Sequence, residues 1–461
     1  VISMPLLGVL GLAVLFALLA LRFPVALAMI LVGVVGTIVA TANRFVLLGM
    51  SSDQALARGI KTAMSNLSGE AFEAASNYNL LVIPMFVLMG NLAGVSGMSA
   101  DLFNAAYRWM GHMKGGLASA TIAACAGFAA LSGSSLAAAI TMGRVALPEM
   151  KKFNYADSLA TGSVAAGGTL GFLIPPSGGM IIYAVLTEQS IGRLFMAGVI
   201  PGMLLTLLFI GAIYLTVLRR PAAGLPAERA NWPDRRNALA AALPFVAVVG
   251  ITIGGMYTGF FTPVEASAVG ALLTLFVALY RRSLNIAAIR EVILQTLKAS
   301  ATVFLIIIGA FIFIPFMSLT ELPGQLVSLL TSLSIGDYGI LLIIILIYMF
   351  LGMFLEGIAM LVLTIPVVLP IIAALDFGFD PSMADMKMIW FGIIVVVVLE
   401  MGMISPPVGL NVFVVKSIAP GVPMGQIFRG IWPFWFAMAL MLLLLAAFPQ
   451  IATFLPQTMV G

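Results

Sequence analysis

The chain has 461 residues, 62% of them hydrophobic and 9% charged, with mean hydropathy +1.15. Soluble domains carry about 25% charged residues, and 22 basic plus 18 acidic side chains cannot wet a globule of this size, so a soluble fold and a disordered chain are both excluded. One cysteine, Cys125, excludes a disulfide framework or thiolate metal site, and one histidine, His112, excludes the paired imidazoles of a haem-carrying membrane subunit.

A membrane span takes about 20 apolar residues, so the length admits roughly ten to twelve crossings by a polytopic α-helical membrane protein. The pI near 9.2 and net charge of +4 then read as topology signals, with no nucleic-acid partner implied. Apolar runs at 5–21 and 24–42 flank Arg22, and the first reads as a span because no basic leader precedes it. The stretch 44–78 spaces Arg58, Lys61, Glu70 and Glu73 among apolar residues, the pattern of an amphipathic interfacial helix. A span at 79–95 leads to a polar segment ending at Arg108 and Lys114.

The segment 116–149, with SGSS at 132–135, divides into two apolar halves too short for a hydrocarbon core of about 30 Å. It predicts a re-entrant hairpin closed by Lys151 and Lys152. The run 157–187 is interrupted by GFLIPPSGG (171–179), whose prolines cannot sustain a helical ladder, so a discontinuous helix is expected. A span at 196–218 precedes a basic loop at 219–237, followed by spans at 238–256, 263–280 and 299–320. A second hairpin is expected over 338–374, with Glu356-Gly357 at its tip. A second broken helix is expected over 387–418, around GMISPPVGLN (402–411), and a last span over 430–455.

The two halves repeat. IPPSGG (174–179) matches SPPVGL (405–410), and Ile83-Pro84 matches Ile314-Pro315, both at a separation of 231 residues. Pro24 pairs with Pro263, LSG (131–133) with LEG (355–357), and IGRLFMAGVIP (191–201) with MGQIFRGIWP (424–433). The repeats are therefore 1–237 and 238–461. With the 219–237 loop in the cytoplasm, 16 of 22 basic residues fall on that side, which is the required bias. The repeats are then inverted, and both termini are non-cytoplasmic.

Inverted repeats with broken helices are secondary-transporter architecture, since backbone freed at membrane depth is tolerated where it holds an ion or lines a cavity. Three acids lie at apparent membrane depth. Glu356, Glu265 and Glu400 are each either functional, structurally hydrogen-bonded or close enough to an interface for water. Asn411 either binds substrate or caps the half-helix. SGSS is either a site or a tight turn between packed helices. His112 reads as a solvated loop residue and Cys125 as a small buried one.

FTPVEASAVGA (261–271), the SGSS tip, GFLIPPSGG, LEG and GMISPPVGLN, in this order over nearly the whole chain, resemble the large membrane subunit, of the DctM or SiaM type, of tripartite ATP-independent periplasmic (TRAP) transporters. The resemblance implies an elevator-type ion-transporter architecture and sodium-driven import of small carboxylates such as sialic acid or C4-dicarboxylates. No cofactor is expected beyond Na+ as coupling ion. It implies two protein partners, a small four-helix membrane subunit (DctQ/SiaQ type) and a periplasmic substrate-binding protein (DctP/SiaP type). The bacterial inner membrane is the implied location, and the chain reads as an unfused large subunit.

By the same resemblance, one sodium site takes Ser132 and Ser134 with carbonyls of Gly171, Ile174 and Pro176. The other takes Gly357, Gly402, Ser405 and Val408. Ser135, Ser177, Glu356 and Asn411 are the substrate candidates. Where family members carry an aspartate followed by proline near the second tip, this chain has Glu356-Gly357-Ile358. The alternatives are a stand-alone carboxylate symporter or antiporter and, in another class, a membrane-embedded transferase. No clustered acids support the transferase, and no GxxxxGK[ST] supports ATP hydrolysis. The hairpins and broken helices are expected to move against a static scaffold holding 24–42, 263–280 and the amphipathic stretch.

Overall fold

A computed structural model describes residues 2–332 and 335–459. Among them the regular structure is helical, as expected. In chain order the helices are α1 (Met4–Ala20), α2 (Val25–Leu47), α3 (Ser52–Ser76), α4 (Val82–Val95), α5 (Met98–Met110), α6 (Gly116–Ser132) and α7 (Ser135–Lys152). Next come α8 (Asp157–Leu173), α9 (Gly178–Thr187), α10 (Ile191–Arg219), α11 (Trp232–Tyr257), α12 (Pro263–Tyr280) and α13 (Ile286–Leu319). The chain continues with α14 (Leu322–Ser332), α15 (Asp337–Gly352), α16 (Gly357–Ala374), α17 (Ala384–Ile404), α18 (Leu410–Ile418), α19 (Met424–Ala447) and α20 (Gln450–Thr458). Ten helical segments of the described residues are long and apolar enough to cross a membrane, so the protein is a multi-pass integral membrane protein.

Both hairpins and both breaks fall where the sequence puts them. The repeats pair α2 with α12, α6–α7 with α15–α16, α8–α9 with α17–α18, and α10 with α19. Five crossings separate the starts of α2 and α12 (Val25–Leu47, Tyr78–Val95, Asp157–Thr187, Ile191–Arg219 and Trp232–Tyr257). An odd number means the second repeat enters from the opposite face, so the topology is inverted.

Several boundaries differ from the sequence reading, each for a local reason. The amphipathic helix starts at Ser52, because Arg44 still belongs to α2 and Gly49 turns the chain at φ +89°. The basic loop is shorter than 219–237: Asn231 accepts the Asp234 N–H at 2.8 Å, and Pro233 in the first turn starts α11 at Trp232. Arg235 is consequently helical and buried, its guanidinium lying 5.7 Å from the Trp109 ring centroid and 3.4 Å from His112 Nδ1. His112 is thus half-buried beside Arg235, not a solvated loop residue. The span expected at 299–320 begins at Ile286, as a polar arm continuous with its membrane segment. The last span ends at Ala447, and Pro449 starts the separate helix α20. Helices α5 and α14 are too short and mixed in character for hydropathy to have marked them.

The chain forms two compact units. One comprises Val1–Leu80, Lys298–Ile344 and Ile358–Ala384; the other comprises Leu81–Leu297, Ile345–Gly357 and Asp385–Gly461. In the first, α2 lies against the membrane half of α13, with Gly33 facing the Ile312 backbone. In the second, α12 lies against α4, with Gly270 facing Met89, and Asn91 of α4 donates to Thr296 Oγ1 of the polar arm at 3.0 Å. Helices α2 and α12 thus each pack on a helix of the other repeat and belong to different units.

The larger unit contains both broken helices and the second hairpin tip together with the whole first hairpin. The broken helices are its centre, with 78% and 89% of their apolar windows buried against 28% for α11. At one end, Arg281 ties α12 to α5 and α11 by donating to Asp101 at 2.5 Å, Ser96 O at 3.3 Å and Ala241 O at 3.2 Å.

Candidate functional site

A helix interrupted by two prolines loses specific donors. Gly171 and Phe172 would pair with the amides four residues on, but these are Pro175 and Pro176, which have no N–H. The hydroxyl of Ser177 replaces one, donating to Phe172 O at 2.5 Å while accepting the Met180 N–H at 3.3 Å as the cap of α9. The Gly171 carbonyl receives no such substitute from Ser177. The same arithmetic frees Gly402 and Met403, which face Pro406 and Pro407. Here Gly402 O accepts the Ser405 N–H at 2.9 Å.

The first hairpin tip docks on the first break. Gly133 takes φ +58° between α6 and α7, and its carbonyl accepts the Gly178 N–H at 3.2 Å. Its α-carbon faces Pro176 O, and Gly171 abuts the Ser134 backbone so closely that a side chain there would stand 2.7 Å from it. Ser134 caps α7, accepting from the Ala137 N–H at 3.4 Å. Ile174 closes α8. Beside these, the Ser132 hydroxyl is buried and has no hydrogen-bond partner in the protein. Ser132, Ser134, Gly171, Ile174 and Pro176 thus belong to one tip and the break it docks on, and hydroxyl and carbonyl oxygens are the ligand type that suits a hard cation.

The second site is built differently. Gly402 meets Gly352 at the end of α15. The Ser405 hydroxyl is engaged twice, donating to Met401 O at 2.7 Å and accepting from Trp435 Nε1 at 3.0 Å. Gly357 instead faces the Phe172 ring of the first break. Val408 is half-buried, at the position where its repeat mate Ser177 supplies a cap, and Gly409 opens α18 with no side-chain cap.

Of the substrate candidates, Ser135 donates to Glu400 Oε1 at 2.5 Å, linking the first hairpin to the second broken helix. Both are buried, and Glu400 Oε2 has no partner. Asn411 is fully buried with neither amide atom bonded. It is not the cap of α18, so that alternative falls away. Glu356 is half-buried at the second tip. Glu265 lies exposed at the start of α12, its carboxylate accepting from Thr262 N and Oγ1 at 2.8 and 2.9 Å. It is one half of a capping box rather than an intramembrane charge. Sequence reasoning noted Ser135 and Glu400 separately but had no means to pair residues from opposite repeats; Trp435 and Phe172 carried no signal beyond being aromatic.

The family model described as "Tripartite ATP-independent periplasmic transporter, DctM component" matches residues 12–451. The C4-dicarboxylate TRAP transporter large permease protein DctM of Pseudomonas aeruginosa is 35% identical over 412 residues, covering 89% of this chain and 93% of that protein. The sialic acid TRAP transporter large permease protein SiaM of Vibrio cholerae is 32% identical over 404 residues, covering 87% and 91%. The ectoine TRAP transporter large permease protein TeaC of Halomonas elongata is 35% identical over 382 residues, covering 82% and 86%. Among solved structures, the YdaH transporter of Alcanivorax borkumensis superposes with TM-score 0.54 at 15% identity, over 85% of this chain and 89% of that one. That likeness concerns fold alone and is consistent with the elevator-type architecture expected from the sequence.

Proposed function

Because the chain belongs to the DctM family of TRAP transporter large permeases, non-enzymatic membrane subunits, we propose that it imports a small carboxylate by sodium coupling. The substrate class is that of the sialic acid and C4-dicarboxylate relatives. The C4-dicarboxylate, sialic acid and ectoine relatives are named for carboxylate-bearing solutes and one relative for the sulfonate isethionate, which supports a small organic anion of the carboxylate class and leaves the individual molecule open. The working assembly includes a small four-helix membrane subunit of the DctQ/SiaQ type and a periplasmic binding protein of the DctP/SiaP type. It sits in the bacterial inner membrane with both termini in the periplasm.

The observation that carries this reading is the unpartnered Ser132 hydroxyl on the tip that docks on the first break, where Pro175 has removed the helical donor of the Gly171 carbonyl. Sodium entering there is cargo and fastener at once. It joins the tip 132–135 to the break 171–176 and satisfies oxygens that lipid or a dry core would leave bare. At the second break, Gly402 supplies a carbonyl, with Gly357, Ser405 and Val408 completing the assigned set. A carboxylate then lies toward the N-terminal ends of α9 and α18, where amide N–H groups and the helix dipole favour negative charge. Ser135, Ser177, Glu356 and Asn411 are the side chains proposed around it, Asn411 offering an unspent amide N–H. The tips and breaks travel together as an elevator, carrying ion and substrate across.

The test is uptake of labelled sialic acid or succinate into proteoliposomes containing this chain and its small subunit, with binding protein outside. Uptake driven by an inward sodium gradient and absent with potassium is expected. Equal uptake without sodium would sink the coupling, and uptake without any binding protein would sink the tripartite reading in favour of a stand-alone symporter.

A further inference from the structure

We propose that the groove between the end of α10, the start of α8 and the first half of α19 is a binding site for an anionic phospholipid. The groove encloses about 810 Å³ and is lined at one end by Arg219, Arg220 and Arg429, and along its length by Leu215, Trp432 and Phe436. This size suits a headgroup with the upper part of an acyl chain.

The charge is available. None of the three guanidinium groups forms an ion pair with an acid among the described residues. Asp157, at the first turn of α8, is the one carboxylate lining the groove, which leaves a net positive site. Guanidinium groups match phosphate oxygens in pairs, in a geometry that a lone ammonium does not supply.

The position selects a lipid over a free anion. Arg219 is the last residue of a 29-residue apolar helix, so its guanidinium stands where hydrocarbon gives way to headgroups. Trp432 and Phe436 lie one helical turn apart on α19, ring centroids 6.0 Å apart, and are 44% and 61% exposed. Charge at one end with exposed aromatic surface running away from it fits an amphiphile. A soluble phosphate would leave the aromatic wall without a role. Two lining residues from different segments are tied together, the Ala156 N–H donating to Ala223 O at 3.0 Å. Basic pockets between transmembrane helices recur as sites for anionic headgroups.

The experiment is lipid titration of the purified full chain by native mass spectrometry, with phosphatidylglycerol, cardiolipin and phosphatidylcholine as separate probes and inorganic phosphate as the soluble arm. Phosphatidylglycerol and cardiolipin should bind in preference to phosphatidylcholine, and inorganic phosphate should not compete at equal concentration. Arg219→Gln with Arg429→Gln should weaken anionic lipid binding by roughly 30-fold, about fivefold per guanidinium, without changing phosphatidylcholine binding. Trp432→Ala with Phe436→Ala should weaken both anionic lipids while sparing their preference over phosphatidylcholine. Equal binding of the three lipids by the unmodified chain overturns the proposal, whatever the variants do. Full competition by inorganic phosphate reassigns the groove to a soluble anion. Crosslinking of residue 436 to the small membrane subunit in place of lipid reassigns it to a protein partner.

Discussion

Replacing Ser132 by alanine separates an ion ligand from a packing residue, because the two roles change stability in opposite directions. The hydroxyl oxygen is buried and unpaired within the protein, and an unsatisfied buried polar group costs about 1–3 kcal/mol. Removing it relieves that cost, so sodium-free Ser132→Ala should unfold at the same temperature as the parent or higher. The same oxygen contributes about 1–3 kcal/mol to a bound cation when it is a ligand, equivalent to roughly 5- to 150-fold in Kd. At a sodium concentration near 100 times the parent Kd, binding stabilises the parent by about 2.7 kcal/mol. A 30-fold weaker site retains only about 0.9 kcal/mol of that. The assay is thermal unfolding followed by tryptophan fluorescence in detergent, comparing sodium with potassium at constant ionic strength. A Ser132→Ala protein that keeps the full sodium-dependent shift would refute the assignment. So would one that loses stability without sodium, since the hydroxyl would then have been a structural partner.

Other perturbations test the packing that positions this site. A methyl group on Gly430 would stand 2.6 Å from the Ser158 carbonyl carbon and closer still to its oxygen; Gly430→Ala should cost about 1–3 kcal/mol or more by forcing α19 away from α8, read as a lower unfolding temperature. Gly421→Ala, with open space around it, is the control that should change nothing. The Ser135–Glu400 bond should show a coupling of about 0.5–1.5 kcal/mol in a double-mutant cycle of Ser135→Ala and Glu400→Met, and additive losses would remove it as a link between the repeats. Trp435→Phe withdraws the donor to Ser405 and should cost about 0.5–1.5 kcal/mol, with the sodium dependence of uptake as the second readout.

How much of this was legible in the sequence follows from which physical rule governed each feature. The breaks were readable because a Pro-Pro pair removes amide donors wherever it stands, and the first hairpin because apolar halves too short to cross must turn back. The arm 286–297 was hidden because it is continuous with its membrane half, whereas its mate α3 is cut off from α4 by Asn77 and a short turn at Tyr78–Leu81. Glu265 looked intramembrane because hydropathy has no sense of helix ends; Thr262 three residues earlier was the available signal for a capping box. The Ser135–Glu400 bond depends on α7 and α17 meeting, and residues 265 apart in sequence carry no local mark of that.

The internal repeat predicts where the chain must break but not how the freed groups are satisfied, and the two halves have diverged on that second point. In the first break Ser177 both caps α9 and serves Phe172 O, the tip carbonyl of Gly133 takes the Gly178 N–H, and one hydroxyl, that of Ser132, remains unspent. In the second, Val408 stands at the Ser177 position and cannot cap, Ser405 is spent on Met401 and Trp435, and Pro406 and Pro407 are exposed. An oxygen that already accepts from a protein donor has one lone pair fewer to offer an ion, whereas an unspent one keeps both. On the sodium-coupled proposal, a variant at Ser132 should therefore disturb sodium dependence more than the corresponding variant at Ser405.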